Sequence, residues 1–266
     1  MTRYQSQPGE FARRGFDSAT ASARVWERWQ QRTDGQPPVD LAVFEPVADR
    51  DLALDSLDRI AEVAPDLVAR VVADEGWLHR LVMVLGGSTA LAQTLVRHPE
   101  EVEALREAPR ARGRDGWREF FASRVGLEGG VATGPADALR LADRVALIEI
   151  AARDLTAPDA LAIADEVAAE LAHVADAVLE MSLAHARAEV PGWEKARLAV
   201  VALGKSGAQE LNYISDVDVL YIAEPADGAT VEEAMTVATR RCSACSAALR
   251  WWSSQPFTAR VFRAKG

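Results

Sequence analysis

The sequence predicts an α+β fold that is mostly helical, with a small sheet near the C-terminal end. Aromatic residues make up only 6% of the chain, while Ala, Leu and Val dominate, which favours packing of helix on helix. Apolar residues recur at helical spacing through most of the chain, but after residue 191 they form short continuous runs. We therefore expect a helical domain over residues 1–191 and a second domain over residues 192–266.

The helices are predicted in order from apolar spacing and from Pro, Gly and capping residues. Gln36-Pro37-Pro38 should end the first helix, because proline disfavours helix in the residue before it. Pro65 suits a first helical turn, and Ser88 can cap the helix that follows Gly86-Gly87. Thr156 is expected to cap the last long helix. The predicted helices cover residues 9–31, 49–63, 65 onward, 77–85, 89 onward, 99–107, 135–155 and 158–188, with exposed connections at 108–116 and 126–134.

The C-terminal part reads as strand, turn, strand and helix. Residues 198–203 are continuously apolar and branched, which suits a buried strand. The glycines at 204 and 207 require a turn, and residues 217–222 form a second apolar run. A helix is expected from Thr230 to about residue 249.

Composition excludes several classes of protein. The formal net charge of −10 argues against a general nucleic-acid binder, which needs Lys and Arg to neutralise phosphates. No apolar run approaches the roughly 20 residues that cross a bilayer, and the N-terminus lacks the apolar core of a signal peptide. Cys242 and Cys245 provide no disulfide framework and only half of a zinc site. The expected location is the cytoplasm, with no membrane or nucleic-acid partner.

Asp216 and Asp218 are the strongest candidates for metal ligands. They are two residues apart at the start of a predicted strand, so both carboxylates should point to one side. Two adjacent carboxylates repel unless a cation lies between them, and oxygen ligands of this kind suit Mg²⁺ together with substrate phosphates. An Asp pair alone is common on surfaces. Here it follows Gly204, Lys205 and a further glycine in a turn that could cradle phosphate oxygens.

At these residues the chain resembles a known family. A Gly-rich turn followed by Asp-x-Asp resembles the polymerase β-like nucleotidyltransferases, which implies a small mixed sheet. The fuller string GKSGAQELNYISDVD resembles glutamine synthetase adenylyltransferase. Residues 85–105 and 147–155 resemble helical stretches that precede the first of that family's two catalytic domains. The resemblance runs from about residue 16 to residue 224.

The resemblance implies roles for individual residues. Asp216 and Asp218 would hold Mg²⁺, and Ser215 would help to orient Asp216. Glu210 and Asn212 would shape the loop, with structural support favoured over catalysis. The turn that would lie against the phosphates of ATP or ADP consists of Gly204, Lys205, Ser206 and Gly207.

The resemblance also implies a reaction and partners. One catalytic domain of the family adenylylates a tyrosine of glutamine synthetase, and the other removes the AMP by phosphorolysis. The position after a helical lead-in matches the adenylyl-removing domain, although the site residues themselves fit either direction. Glutamine synthetase is the implied partner, with the nitrogen-signalling PII protein as a candidate regulator. Two alternatives stay open: an inactive module that binds a nucleotide or a partner, and an unrelated nucleotidyltransferase.

The segment from about residue 234 is atypical for this family. Related enzymes use a third carboxylate on a strand after the helix that follows Asp-x-Asp, but no Asp or Glu occurs after Glu233. The same segment is basic and contains both cysteines and Trp251-Trp252. We expect a truncated or altered reading frame and weak catalysis by this chain alone. The alternative is that Glu224 or Asp227 supplies the third carboxylate.

Overall fold

The computed structural model of the protein describes residues 7–33, 39–248 and 260–263. The predicted helix stop at Gln36-Pro37-Pro38 lies outside the described residues, as does Trp251-Trp252. The described chain divides into two compact units. The first comprises residues 1–110 with 147–161, and the second comprises residues 111–146 with 162–266, in both cases as far as they are described.

The first unit is helical and encloses one apolar core. Capping carboxylates begin its helices: Asp49 accepts a hydrogen bond from the Leu52 N–H, and Asp74 accepts one from the Trp77 N–H. The core includes Phe44, Leu54 and other side chains with no exposed surface. The helices of this unit are α1 (Gln7–Arg13), α2 (Ala19–Arg32), α3 (Arg50–Val63), α4 (Pro65–Val72), α5 (Glu75–Gly87) and α6 (Thr89–Arg97), with 3₁₀ turns at Leu41–Phe44 and Pro99–Leu105.

The second unit combines helices with a short hairpin and a three-stranded sheet. Trp117 is buried and donates its indole N–H to Glu170, which lies on another helix of this unit, at 2.9 Å. Helix α8 begins in this unit and ends in the first. The elements are α7 (Gly113–Val125), β1 (Leu127–Glu128), β2 (Val131–Ala132), α8 (Ala136–Leu155), α9 (Ala160–Glu189), β3 (Ala196–Ala202), α10 (Gly204–Ala208), β4 (Val219–Pro225), α11 (Val231–Ala248) and β5 (Arg260–Arg263), with a 3₁₀ turn at Trp193–Lys195.

The larger sheet has the strand order β3-β4-β5 and is mixed, as predicted. Strands β3 and β4 are antiparallel with Val200 opposite Tyr221, whereas β4 and β5 are parallel with Tyr221 opposite Val261. Helix α11 provides the crossover and packs on one face of the sheet through Ala234 and Ala238. Its start is a capping box, in which the Thr230 hydroxyl accepts from the Glu233 N–H and the Glu233 carboxylate accepts from the Thr230 N–H.

The mostly helical fold class is confirmed, but several local predictions are wrong. The first predicted helix is two helices, α1 and α2, because Gly15 takes a φ of +81° between them. The chain at 108–116 was expected to be a connection, yet α7 begins at Gly113. Thr156 does not cap α9. Its hydroxyl donates to the Ala152 carbonyl at the end of α8, and Asp159 accepts from the Leu161 N–H instead.

Two further expectations about strands are corrected. Strands β1 and β2 pair as a short hairpin, so the sheet after residue 191 is not the only one. Strand β3 was expected to be buried, but it forms an edge of its sheet, and Val201 on it is 39% exposed. Residue 191 is not a border of either compact unit, and a domain boundary there remains a prediction. Among the described helices, none combines the length and apolar character that a membrane span needs.

Candidate active site

The turn between β3 and β4 depends on two glycines. Gly204 has a φ of +54°, which residues with a side chain rarely adopt. A Cβ on Gly207 would lie 2.6 Å from the Ala202 carbonyl oxygen, too close for any side chain. A Cβ on Gly204 would lie 3.5 Å from an Asp218 carboxylate oxygen. The Asp218 carboxylate is therefore beside the backbone at which the turn begins.

Main-chain hydrogen bonds close this turn as a single short helix. The Gly207 N–H donates to the Leu203 carbonyl at 3.1 Å, and the Glu210 N–H donates to the Lys205 carbonyl at 2.8 Å. The N–H groups of residues 204–206 precede the first of these helical bonds, so none of them has an acceptor within α10. The Ser206 hydroxyl is buried and has no hydrogen-bond partner in the described part of the chain. These are the donors that a phosphate group would use.

Asp218 lies on the face of the sheet opposite to α11. Its backbone carbonyl accepts from the Leu203 N–H at 2.8 Å, which extends the pairing of β3 and β4 by one residue pair. Because strand side chains alternate, Asp218 shares a face with Leu220 and Leu203. Leu203 is 40% exposed, and Ala223, on the other face, is fully buried against α11. Strand β4 begins at Val219, so Asp216 and Asp218 precede the strand on which they were expected, and their role as metal ligands stays a prediction.

The remaining predicted site residues lie on α10 or in the segment between α10 and β4. Asp216 is exposed in the extended segment that leads into β4, and Ser215 before it is half-buried. Lys205 is exposed on α10. Glu210 and Asn212 are also exposed, and the Glu210 contribution to closing the turn comes from its backbone N–H. The roles of these side chains stay predictions.

The donor set fits a hydrated magnesium ion held mainly by its nucleotide. Mg²⁺ in nucleotide sites typically uses one or two carboxylates together with phosphate oxygens, and Asp216 and Asp218 supply two. Within the described ranges, no group of three His, Cys, Asp or Glu residues could hold a metal ion by itself. Glu224 is six residues beyond Asp218, which is about 20 Å along a strand. Arg197 pairs with Glu224 at 2.8 Å and with Asp227 at 3.5 Å. Glu224 and Asp227, which we considered as the third carboxylate, therefore lie towards the other end of β4, where both pair with Arg197.

A charged cleft that sequence reasoning missed lies below the end of β3. It has a volume of 210 Å³, and Val200 and Ala202 form part of its lining. Arg114 on α7 pairs with Asp176 on α9 at 3.2 Å, and the next turns of both helices form a second such pair at 2.9 Å. Burial raises the pKa of Asp176, while the Arg114 charge opposes that increase. Arg114 and Arg118 are four residues apart in the sequence, which is helical spacing, but residues 108–116 were predicted to be an exposed loop.

Both cysteines lie in the core beneath β4 and are free thiols. The Tyr221 hydroxyl donates to the Cys245 sulfur at 3.2 Å. Burial raises the pKa of Cys242 to about 12 and the pKa of Cys245 to about 11. Neutral buried thiols of this kind act as small apolar side chains.

Comparison with known proteins matches this region to one family. The model of the family described as glutamate-ammonia ligase adenylyltransferase matches residues 78–261. Three similar proteins carry the name bifunctional glutamine synthetase adenylyltransferase/adenylyl-removing enzyme. The one from Cutibacterium acnes is 43% identical over 79% of this chain and 23% of its own length. The one from Streptomyces avermitilis is 39% identical over 91% of this chain and 24% of its own length. The one from Mycobacterium tuberculosis is 36% identical over 90% of this chain and 25% of its own length. The chain thus spans about a quarter of the length of these relatives.

Proposed function

This chain belongs to the glutamate-ammonia ligase adenylyltransferase family, and we propose on that premise that its Gly-rich turn and Asp pair bind a magnesium nucleotide for adenylyl exchange on glutamine synthetase. The observation that carries the proposal is the position of the Asp218 carboxylate, 3.5 Å from where a Cβ of Gly204 would be. A metal-binding carboxylate must lie next to the phosphate-binding backbone to act on the same ligand. The names of the relatives indicate the acceptor.

Each residue has one task in this proposal. Asp216 and Asp218 hold the Mg²⁺, which would neutralise charge on the phosphate oxygens. The backbone N–H groups of residues 204–206 and the Ser206 hydroxyl donate to those oxygens. Lys205, which is exposed on α10, adds positive charge beside the phosphates, and Ser215 orients Asp216. Positioning and charge stabilisation provide most of the catalysis in phosphoryl-transfer sites, so these roles account for the chemistry.

We propose the adenylyl-removing direction for this copy. A phosphate oxygen attacks the phosphorus of the tyrosine-bound AMP, the bond from phosphorus to the tyrosine oxygen breaks, and ADP leaves. The tyrosine oxygen recovers a proton from solution. The resemblance of residues 85–105 and 147–155 to the lead-in of the family's first catalytic domain supports this direction. The proposal places the reaction in the cytoplasm, with PII protein as a regulator of the exchange.

We also propose that this chain alone turns over slowly. Residues 234–266 contain no Asp or Glu, and the described strand β5, parallel to β4, carries the sequence Arg-Val-Phe-Arg at residues 260–263. A site with two metal-binding carboxylates in place of three loses part of the charge stabilisation on which the reaction depends. This observation also favours the second candidate function, a module that binds the nucleotide without turnover.

Titration calorimetry with magnesium ADP tests the binding step. Asp216→Asn and Asp218→Asn should each abolish measurable binding, whereas Asp227→Asn, the same change at an exposed residue of this unit, should bind like the parent. Wild-type affinity in both site variants would refute the proposal. AMP release from adenylylated glutamine synthetase in the presence of Mg²⁺ and phosphate then separates the candidates, since a module without turnover binds ADP but releases no AMP.

A further inference from the structure

His173 of helix α9 contacts the end of the Gly-rich turn. Its Nε2 atom lies 3.5 Å from the side-chain amide nitrogen of Gln209, the residue that follows α10. The other ring nitrogen, Nδ1, is buried and has no hydrogen-bond partner among the described residues. His173 thus has one ring nitrogen beside Gln209 and the other without a partner in the described part of the chain.

The chemistry of the two groups defines the contact. An amide NH₂ group only donates, so the imidazole Nε2 is the ring atom that can accept in this contact. A histidine whose Nδ1 is buried without a partner among the described residues costs folding free energy at a position that only fills space. An apolar side chain at residue 173 would avoid that cost. The contact with Gln209 is what a histidine provides there.

Gln209 is the point at which the turn ends. Among the described residues other than glycine, it alone has a positive φ, +60°. Its N–H donates to the Ser206 carbonyl, and the next N–H, of Glu210, donates to the Lys205 carbonyl. A side-chain partner that holds Gln209 in this left-handed conformation keeps both bonds formed. The loop that leads to Asp216 starts from this residue.

Helix α9 is itself fixed close to His173. Asp176 and Glu180, one and two turns further along, pair with Arg114 and Arg118 of α7. These side chains line the cleft below the end of β3. His173, Asp176 and Glu180 are three and four residues apart and therefore share one side of the helix. His173 therefore lies on a helix that two ion pairs hold against α7.

We infer that His173 is a positioning residue for the phosphate-binding turn, acting through Gln209. It holds the end of α10 in place and so sets the backbone N–H groups of the turn and the start of the loop that carries Asp216. The inference rests on the proposed function, because the turn matters for nucleotide affinity only if a nucleotide binds there. The contact itself can be measured without any ligand.

The test combines amide hydrogen exchange with affinity for magnesium ADP in the 266-residue chain. His173→Leu removes the acceptor, His173→Gln keeps an acceptor on a flexible side chain, and Gln209→Asn shortens the donor while tolerating the left-handed conformation. The control is His79→Leu, the same change at an exposed position of α5. Thermal unfolding of each variant identifies any that fail to fold, and Gln209→Asn then carries the test.

His173→Leu and Gln209→Asn should each speed exchange at the amides of Gly207, Gln209 and Glu210 by roughly three- to tenfold, the factor expected for one lost hydrogen bond. Affinity should fall by a similar factor, recover in His173→Gln, and fall no further in the double variant. Unchanged exchange in His173→Leu, or effects that add in the double variant, would overturn the inference. If the parent chain binds no nucleotide, the proposed function fails, and the exchange rates alone decide whether His173 holds the turn.

Discussion

Asp143 gives the sharpest prediction about the stability of the second unit. It lies on α8, is only 1% exposed, and neither of its carboxylate oxygens has a hydrogen-bond partner among the described residues. Burial raises its pKa to about 7 from the usual 3.8, with the neighbouring Arg144 charge opposing the increase. The carboxyl group is therefore neutral in the folded chain under mildly acidic conditions and must ionise inside the core as the pH rises.

The pH dependence has a definite sign and size. Below about pH 4 the Asp143 carboxyl group is protonated in both the folded and the unfolded chain, so its ionisation does not lower the free energy of unfolding. Between 3.8 and about 7 the unfolded chain releases a proton that the folded chain retains, so stability falls as pH rises. At 1.36 kcal/mol per pKa unit the full difference is about 4 kcal/mol, and the part between pH 5 and pH 8 is about 3 kcal/mol.

Asp143→Asn keeps the shape of the side chain and removes its ionisation. We expect the variant to have a larger free energy of unfolding than the parent. This stabilisation should be about 3 kcal/mol greater at pH 8 than at pH 5. Urea unfolding at both pH values measures the difference, and hydrogen exchange at α7 and α9 assigns it to the unit that holds Asp143. The control is Asp137→Asn, whose side chain is 85% exposed on the same helix. If Asp143→Asn and the parent differ in stability by the same amount at both pH values, the claim that Asp143 ionises inside the core is refuted.

Three further predictions concern the turn, the capping box and the thiols. Gly207→Ala should abolish binding of magnesium ADP in calorimetry, because the added Cβ would meet a main-chain oxygen at 2.6 Å, whereas Gly76→Ala, in a helix beside a flexible side chain, should bind normally. Thr230→Ala should cost about 1 kcal/mol of unfolding free energy in urea titrations, as loss of an N-cap does, and an unchanged midpoint would contradict the capping box. Cys242 and Cys245 should resist alkylation at pH 8 until the chain unfolds, since their pKa values are about 12 and about 11; rapid labelling of the native chain, followed by mass spectrometry, would show that they are exposed.

Local signals were sufficient where a short stretch of chain determines its own conformation. The helix over residues 49–63 was predicted from apolar spacing, and the structure places α3 at Arg50–Val63 with Asp49 as its cap. The cap at Ser88 was also predicted, and its hydroxyl accepts from the Leu91 N–H. In both cases the capping bond spans three residues, so it is readable from sequence.

Predictions failed where distant residues compete for the same groups. Thr156 has the composition of an N-cap, yet its hydroxyl donates to the carbonyl at the end of the preceding helix. The burial of α7 rests on Trp117 and its bond to Glu170, 53 residues away, which no local pattern reveals. Residues 198–202 of strand β3 are all apolar, so their period could not reveal that one face of the strand is open.

The sequence by itself determined the family, the mostly helical fold class and the candidate pair of Asp216 and Asp218 behind a Gly-rich turn, because glycine and carboxylate spacing over some fifteen residues is a local property. Only the tertiary structure decided which partners surround that turn. The contact between His173 and Gln209 joins residues 36 apart, and the ion pair between Arg197 and Glu224 joins residues 27 apart. Such contacts depend on how helices and strands pack, and packing is a sum over the whole core that no single segment encodes.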